Sequence, residues 1–566
     1  MCGIWLYLRK HNSIQTLTDA EIYASFKKLT PRGPEYQSLI SLPNYGVYIG
    51  FTRLAIMDVT TRGDQPFIIE TEQKITYTIC NGEIYNYEQL QHENNFDLKS
   101  GSDCEVLPHL YEKYGSDMID MLDGEFAFCI CEINKKTFEV KLFIGRDNAG
   151  IRPLYLNGDE NEIVLSSELK ACPFLLPYEI YETKKSHFKV SQFKPRNWLS
   201  MSNLNDLYVD DLKYNEYYNI VDIQPTIFDK EIAFQQIRDT FTKAVEKRMM
   251  SDRPIGCLLS GGLDSSLVAA IASKICKKNG TRLHTFSIGM DGSTDEIYAK
   301  QVAEHIGSIH THVKFDEHVW LQAINHIIQI VESYDVTTIR ATTGQYLLAK
   351  WISENTLIKS LLNGDGSDES FGGYRYFLKA PSPKEYHLEI LKLISEIHMY
   401  DVQRSDRGTS DNGIEARVPF LDRDLIKLVL SIDPQLRMPQ YSDVTKTVIE
   451  KWLLREAFRN TDLLPLNVLF REKEAFSDGV SSLKRSWYKI IQERIDELID
   501  DNEFEIAKKL YKHCVPTSKE ALYFRRRFES LFGDFECIPH YWLPNWMGNI
   551  TEPSARVLPV YLGNNQ

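Results

Sequence analysis

Two periodicities divide the chain. Over residues 1 to about 200, short apolar runs recur: GVYIGFTRLAIMD, KITYTICNGEIY, EFAFCICEI, TFEVKLFIGRD and EIVLSSE. They are rich in Val, Ile, Tyr, Phe and Thr and are separated by Gly, Asn and Asp, as strands joined by turns are. Helical spacing interrupts them in SDCEVLPHLYEKY, where Val106 and Leu110 share a face. Strands with interposed helices predict an α+β layered domain.

Between about 187 and 225 the periodicity fades into a stretch carrying Pro, Ser, Asn and Asp, where a domain boundary is expected. From about 230 the pattern becomes helix, strand, helix. FQQIRDTFTKAVEKRMM is amphipathic at helical spacing, PIGCLLS is a buried-strand run, and LDSSLVAAIASKICKK places Leu267, Ile271 and Ile275 on one face. LHTFSIG and LIKSLLN read as further strands, with helices such as HVWLQAINHIIQIVESY between them. This alternation predicts a parallel sheet covered by helices. No internal repeat and no low-complexity tract is present.

Length alone, 566 residues, suggests about three or four domains. With 43% hydrophobic and 25% charged residues the composition is that of a soluble globular protein. A formal net charge of -14 argues against general affinity for nucleic acid or an anionic membrane. The opening MCGIWLYLRK has its basic residues after a short apolar run, unlike a secretory signal, and no run of about 18 apolar residues occurs. The ten cysteines are scattered, as expected of reduced thiols in a cytoplasmic protein, and Cys129 and Cys131 alternate as core residues would. The sequons at Asn279 and Asn549 would matter only in a secreted chain.

Cys2 is the first candidate for chemistry. A small residue in position two favours removal of the initiator Met, which leaves Cys2 with a free α-amine. That amine titrates near about 7.7–8.0, so one residue can supply both nucleophile and base. Alone, MCG reads as an accidental start. FTRLAIMD around Arg53, CNGEIYN around Asn81 and SGSDCE around Asp103 change that reading. The Asn81 amide and the Gly82 N–H suit an oxyanion, and Asp103 with Arg53 suits the charged α-groups of an amino acid. Taken singly, NGE is a hairpin turn and Arg53 a surface ion pair.

Together, MCGI, RGP, TRLAI, CNGEIYN and LDGEFAF resemble the class II glutamine amidotransferase domain over residues 2 to about 190. The resemblance implies an N-terminal-nucleophile sandwich of two antiparallel sheets between helices. It also implies Cys2 as nucleophile, Asn81 and Gly82 as the oxyanion hole, and glutamine held by Arg53, Leu54, Ala55, Ile56 and Met57, by Asn81, Gly82 and Glu83, and by Asp103. Where the family has His-Arg-Gly-Pro-Asp, this chain has Pro31-Arg32-Gly33-Pro34-Glu35.

The segment IGCLLSGGLDSSLVAA runs a buried strand through Ser260-Gly261-Gly262 into a helix opening at about Asp264. Its glycines expose backbone N–H groups, and a helix N-terminus attracts phosphate. It lacks the Lys-Ser/Thr of a Walker A loop and resembles the pyrophosphate loop of ATP pyrophosphatases. In SLLNGDGSDESFGG the clustered Asp365, Asp368 and Glu369 suggest Mg²⁺, which favours one or two carboxylates plus phosphate oxygens. SYDVTTIRATTG offers Thr337, Thr338 and Arg340 to a small carboxylate, or an ordinary helix N-cap.

With YDVQRSDRGTSDNGIEARVPFLD, FREKEAFSDG and HYWLPNW…EPSAR, these motifs are similar in content and order to the glutamine-hydrolysing asparagine synthetases along nearly the whole chain. The resemblance implies a glutaminase domain at 2–200, an ATP-pyrophosphatase-type parallel α/β domain at 222–540 and a tail at 541–566. It implies nucleotide contacts from Leu259, Ser260, Gly261, Gly262, Asp264, Ser265, Ile288 and Lys473, with Asn363 and Gly364 at the junction of the ATP and aspartate sites. Asp264 and Asp368 would hold Mg²⁺, and Thr337, Thr338 and Arg340 would bind aspartate. A homodimer and a shielded path for ammonia are implied as well.

One departure falls on the chemistry. The family loop reads Ser-Gly-Glu-Gly-Ser-Asp-Glu, and here it is Asn363-Gly364-Asp365-Gly366-Ser367-Asp368-Glu369. Asp365 keeps the charge of the family's key glutamate but is one methylene shorter, and a displacement of about 1 Å can cost about 100-fold in rate. Three activities therefore stand: asparagine synthesis from aspartate, ATP and glutamine or ammonia; amidation of a different carboxylate; and glutamine hydrolysis beside an impaired synthetase. A sensor that binds nucleotide without turnover would not need the Cys2 constellation.

Overall fold

The computed structural model describes residues 1–10, 15–159, 161–173, 189–202 and 212–558. Parts of the expected boundary stretch (187–188 and 203–211) and the last eight tail residues lie outside it. The N-terminal strands are β1 (Gly3–Arg9), β2 (Tyr36–Leu42), β3 (Val47–Arg53), β4 (Phe67–Glu70), β5 (Lys74–Ile84), β6 (Gly124–Asn134), β7 (Val140–Arg146), β8 (Tyr155–Gly158), β9 (Glu162–Ser166), β10 (Lys189–Gln192), β11 (Asn197–Met201) and β12 (Asn215–Glu216). They form two sheets, ordered β10-β8-β9-β1-β3-β2 and β12-β11-β7-β6-β5-β4. Both are antiparallel, with β1 between β3 and β9 and β6 between β5 and β7.

Alternation along β1 and β6 shows why the sheets stack. Ile4, Leu6 and Leu8 of β1 meet Ala127, Cys129, Cys131 and Ile133 of β6 in the core between the sheets. The intervening Trp5 and Tyr7 pack outward with Ile22 and Phe26 of the helix Asp19–Lys27. On the far side Phe126, Phe128 and Ile130 pack with Val106, Leu107 and Leu110 of the helix Val106–Tyr114. Both faces of these strands are buried, so they read as nearly continuous apolar runs. The result is helix, sheet, sheet, helix, with Cys129 and Cys131 as core residues.

The C-terminal sheet comprises β13 (Ile255–Leu258), β14 (His284–Gly289), β15 (Ile309–Lys314), β16 (Ser360–Leu362) and β17 (Glu415–Arg417). Its order is β15-β14-β13-β16-β17, and every pairing is parallel. Helices Lys230–Lys247 and Leu263–Lys278 bury Phe241, Leu267 and Ile271 on one face. Helices Glu317–Val331 and Val336–Asn355 bury Trp320, Ile327 and Ile339 on the other. The strand order reverses beside β13, whose neighbours are β14 and β16. Such a switch point leaves a crevice at the carboxyl ends of the strands. Here those ends run into Ser260-Gly261-Gly262 and Asn363-Gly364-Asp365, which places the two loops of interest side by side.

The two halves meet over buried ion pairs. Arg152 joins Glu125 (2.9 Å) to Glu415 (3.5 Å), Arg248 joins Glu125 (2.7 Å) to Asp422 (2.8 Å), and Arg417 joins Glu415 (2.8 Å) to Glu83 (3.4 Å). Removing one partner of such a pair typically costs about 3–5 kcal/mol, so their value lies in fixing one relative arrangement. Among the described residues no helix is long and apolar enough to cross a membrane.

Candidate functional site

The N-terminal candidates gather at the start of β1 and the end of β5. The Cys2 thiol faces the Leu54 carbonyl oxygen at 3.8 Å. Burial pushes the thiol up to about 11, and burial pushes the Met1 amine down to about 5. With Met1 in place the nitrogen of Cys2 is an amide and cannot serve as base, so the expected role of Cys2 requires removal of Met1. Asn81 is fully buried, and neither its amide N–H nor its amide oxygen has a hydrogen-bond partner among the described residues. A buried unpartnered amide costs stability, and a reacting oxyanion is the kind of partner that repays it. Gly82 has φ +148°, and a Cβ there would lie 2.0 Å from the Glu125 carbonyl oxygen, so only glycine lets β5 pass.

The glutamine-pocket candidates differ in what they have available. Asp103 is buried and accepts from the Ile84 N–H at 2.6 Å, and burial pushes its carboxyl up to about 6. Glu83 is also raised well above the usual carboxylate range, by burial and by the nearby Asp103 and Glu415. Arg53 grips its own loop: its guanidinium donates to the Thr60 carbonyl (2.7 Å), Asp64 (2.6 Å), the Met57 carbonyl (3.1 Å) and the Asp58 carbonyl. Those bonds shape residues 54–64 around the pocket. The same loop is fastened to the C-terminal half, because Asp252 N–H donates to the Ile56 carbonyl (3.0 Å) and Arg253 to the Ala55 carbonyl (3.1 Å). Glu35 accepts from Ala55 N–H (2.7 Å) and pairs with Arg253 (3.0 Å), which gives that variant motif residue a role at the junction.

The C-terminal candidates line one cavity with Leu259, Ser260, Gly262, Asp264, Ser265, Ile288, Thr337, Arg340, Asn363, Gly364, Asp365, Asp368 and Lys473 around its wall. Gly261 has φ +76°, and its Cβ would strike Ala299 N at 2.4 Å, so the loop bends against the helix Thr294–Ile306. Gly262 has open space before it apart from Ser260 Oγ at 3.4 Å, and Gly364 abuts Ser265 N. The loops after β13 and β16 thus touch, with open backbone at the N-terminus of the helix Leu263–Lys278, where an anion would be favoured. Leu259 and Ile288 are buried beside them.

Asp264 and Asp368 share Lys451, whose Nζ lies 2.7 Å from both Asp264 oxygens and 2.6 Å from Asp368. Lys473 also pairs with Asp368. Against the desolvation of burial, the two lysines hold the Asp368 carboxyl well below the usual range. Two carboxylates beside a loop of open backbone N–H groups fit a hard divalent cation such as Mg²⁺, which favours one or two carboxylates and completes its shell with other oxygens. Among the described residues no group of three or more His, Cys, Asp or Glu forms a closed metal cage. Lys451 gave no signal in the sequence, for it lies in the unremarkable run TVIEKWLL and reaches the site through a backbone φ of 52°.

The aspartate trio separates. Asp335 caps the helix Val336–Asn355, accepting from both N–H and Oγ1 of Thr338 at 2.8 Å, so Thr338 serves the cap. Thr337 presents a buried hydroxyl with no partner among the described residues. Arg340 is clasped by Glu520 and by Glu552 of the C-terminal segment. Asp365 is met by Arg404 at 2.9 Å. Arg404, Gln345 and Glu552 were not singled out by motif, because the contacts that bring them here span 39, 20 and 212 positions.

One helix, Asp401–Ser410, touches both sites. Arg404 points to Asp365, while Asp406 receives Arg32 at 2.7 and 3.0 Å, and Arg32 Nε donates to the Cys2 carbonyl at 2.9 Å.

Residues 1–204 match the family model described as glutamine amidotransferase domain, and residues 236–390 and 383–550 match that described as asparagine synthase. The chain is 39% identical over 575 residues to the probable glutamine-hydrolysing asparagine synthetase of Acanthamoeba polyphaga mimivirus, across 99% of this chain and 100% of that one. It is equally similar, 39% over 578 residues and 99% of each chain, to the glutamine-hydrolysing asparagine synthetase of Homo sapiens. The enzyme of that name from Gallus gallus is 39% identical over 587 residues, again across 99% of each chain.

Proposed function

This chain belongs to the glutamine-hydrolysing asparagine synthetase family, and we propose that it works as a two-site ligase, releasing ammonia from glutamine at Cys2 and fixing it on aspartate at the cavity above β13 and β16. The observation that carries this reading is the helix Asp401–Ser410, which joins Arg32 under Cys2 to Asp365 in the nucleotide cavity. One rigid element thus ties the two chemistries together.

At the first site, loss of Met1 would free the Cys2 α-amine to take the thiol proton. The sulfur attacks the side-chain carbonyl of glutamine, and Asn81 with Gly82 N–H stabilises the oxyanion. The C–N bond breaks, ammonia leaves with the proton, and water hydrolyses the thioester to glutamate. Asp103 pairs with the substrate α-ammonium. Ammonia in bulk water is mostly protonated and not nucleophilic, which argues for transfer along the buried junction between the halves.

At the second site, the aspartate β-carboxylate attacks the α-phosphorus of ATP, and pyrophosphate departs to leave β-aspartyl-AMP. Lys451 and Lys473 neutralise the phosphates beside the Ser260–Gly262 loop. Mg²⁺, held by Asp264 and Asp368, would supply further charge neutralisation there. Ammonia then attacks the β-carbonyl carbon, a proton passes to a base for which Asp365 is placed, and AMP leaves. The modules correspond to residues 2–200 and 222–540, followed by the tail 541–566, of which Trp542, Pro553 and Leu558 line the cavity. All ten cysteines are unpaired thiols, which supports a reducing, cytoplasmic setting.

Purified protein incubated with ATP, Mg²⁺, aspartate and glutamine should form asparagine and pyrophosphate in equal amounts. Pyrophosphate without asparagine would point to another acceptor. Glutamate and ammonia alone would point to an idle synthetase.

A further inference from the structure

Asp365 is enclosed by hydrogen-bond donors from three elements. Its Oδ2 accepts from Asn363 Nδ2 at 3.0 Å and from Gln345 Nε2 at 3.2 Å, and its Oδ1 accepts from Arg404 Nη2 at 2.9 Å. Asn363 is itself locked: its Nδ2 also donates to Ser405 Oγ at 2.6 Å, and its Oδ1 accepts from Asp365 N–H at 3.1 Å. Asn363, Ser405 and Gln345 are buried. Gln345 comes from the helix Val336–Asn355 and Ser405 from the helix Asp401–Ser410, so the cradle is built on rigid elements rather than on the loop alone.

Counting acceptor sites sharpens this. A carboxylate offers about four lone-pair positions. The two amides take both on Oδ2 and the guanidinium takes one on Oδ1, which leaves a single position for a reacting group. Both protons of the Asn363 amide are committed, one to Asp365 and one to Ser405.

Resting on the reading above, we propose that Asn363 and Gln345 are positioning residues for amide formation, fixing a carboxylate too short to find its place unaided. The two departures from the family loop, at 363 and at 365, are then one device. Asn363 spans the gap between the loop and Ser405 that a serine there cannot reach. A glutamate at 365 would carry its carboxylate about one methylene past both amide donors.

The test is a double-substitution cycle on the full-length enzyme, using ammonia-dependent asparagine synthesis so that the first site is not involved. Asn363→Ser and Asp365→Glu each lower kcat about 30-fold, with aspartate KM within about threefold of wild type, because a misplaced group costs rate rather than affinity. Gln345→Ala lowers kcat about tenfold. The pair Asn363→Ser with Asp365→Glu recovers to within about fivefold of wild type, which a merely structural role would not produce. Glutaminase activity in the same preparations reports that each variant is folded. An Asp365→Glu enzyme as fast as wild type, an Asn363→Ser enzyme altered only in KM, or a pair whose losses simply multiply overturns the inference alone. A wild-type enzyme that forms no asparagine overturns the preceding reading and this one with it.

Discussion

Glu552 lies bidentate on Arg340, with its two carboxylate oxygens 2.6 and 3.1 Å from Nη1 and Nη2. Glu520 takes the other edge of the guanidinium, at 2.8 and 2.5 Å. The arginine expected to receive aspartate thus already carries a carboxylate from the C-terminal segment, which Gln492 steadies at 2.7 Å. Aspartate bound at Arg340 would compete with Glu552 for one fork. A charge-assisted bond is worth about 1.5–3 kcal/mol, and part of that is returned when substrate takes its place. Glu552→Gln should lower the aspartate KM about fivefold, read from initial rates against aspartate concentration. A higher KM would mean that Glu552 shapes the aspartate seat instead of filling it.

The state of the N-terminus should decide the first activity. With Met1 attached, the thiol is pushed up to about 11 and its own nitrogen is an amide. Protein that has lost Met1, identified by intact mass, should hydrolyse glutamine, and the fraction retaining Met1 should not. Cys2→Ala should abolish glutamine-dependent synthesis and keep synthesis from ammonia. Glutamine-dependent turnover by Cys2→Ala would remove Cys2 from its role.

Much of this was legible in the sequence because it was local. β13, the Ser260–Gly262 turn and the helix after it form one continuous run, and so do β5 and Asn81–Gly82. The strand type of EFAFCICEI was legible too, since burial of both faces leaves an apolar run. What stayed hidden was long-range. Lys451 reaches Asp264 across 187 positions, and Arg32 reaches Asp406 across 374. Thr338 read equally well as ligand or cap, because a hydroxyl three residues after Asp335 suits either, and the structure places it on the cap.

If Asp103 holds the α-ammonium of glutamine, its titration should set a pH dependence on glutamine binding. Burial raises its carboxyl from 3.8 to about 6, so it is ionised above that pH and neutral below. Only the ionised form attracts the α-ammonium of glutamine. As pH falls through about 6, glutaminase kcat/KM for glutamine should drop about tenfold per unit, mainly through KM. Asp103→Asn should give a low and flat profile over the same range. A profile unchanged by that substitution would assign the ammonium to another carboxylate, such as the buried Glu83 close to Asp103.

Lys451 carries the sharpest prediction for the second site. Its ammonium, 2% exposed, bridges two half-buried carboxylates that no other described residue bridges as closely: Lys473 pairs with Asp368 but stands 4.0 Å from Asp264. Replacing it by methionine keeps most of its bulk and deletes the charge. Pyrophosphate formation should fall about 100-fold or more, since the charge that meets the leaving phosphates is gone. Asp264 and Asp368 would then face each other with only Lys473 to offset their charges, and Tm should drop by several degrees. A divalent cation placed between them would relieve that repulsion. Mg²⁺ should therefore raise the Tm of Lys451→Met more than that of wild type, with glutaminase activity confirming that the chain is folded. Equal Mg²⁺ shifts in the two proteins would separate the carboxylates from the cation. Unimpaired pyrophosphate formation would show that Lys451 serves only the fold.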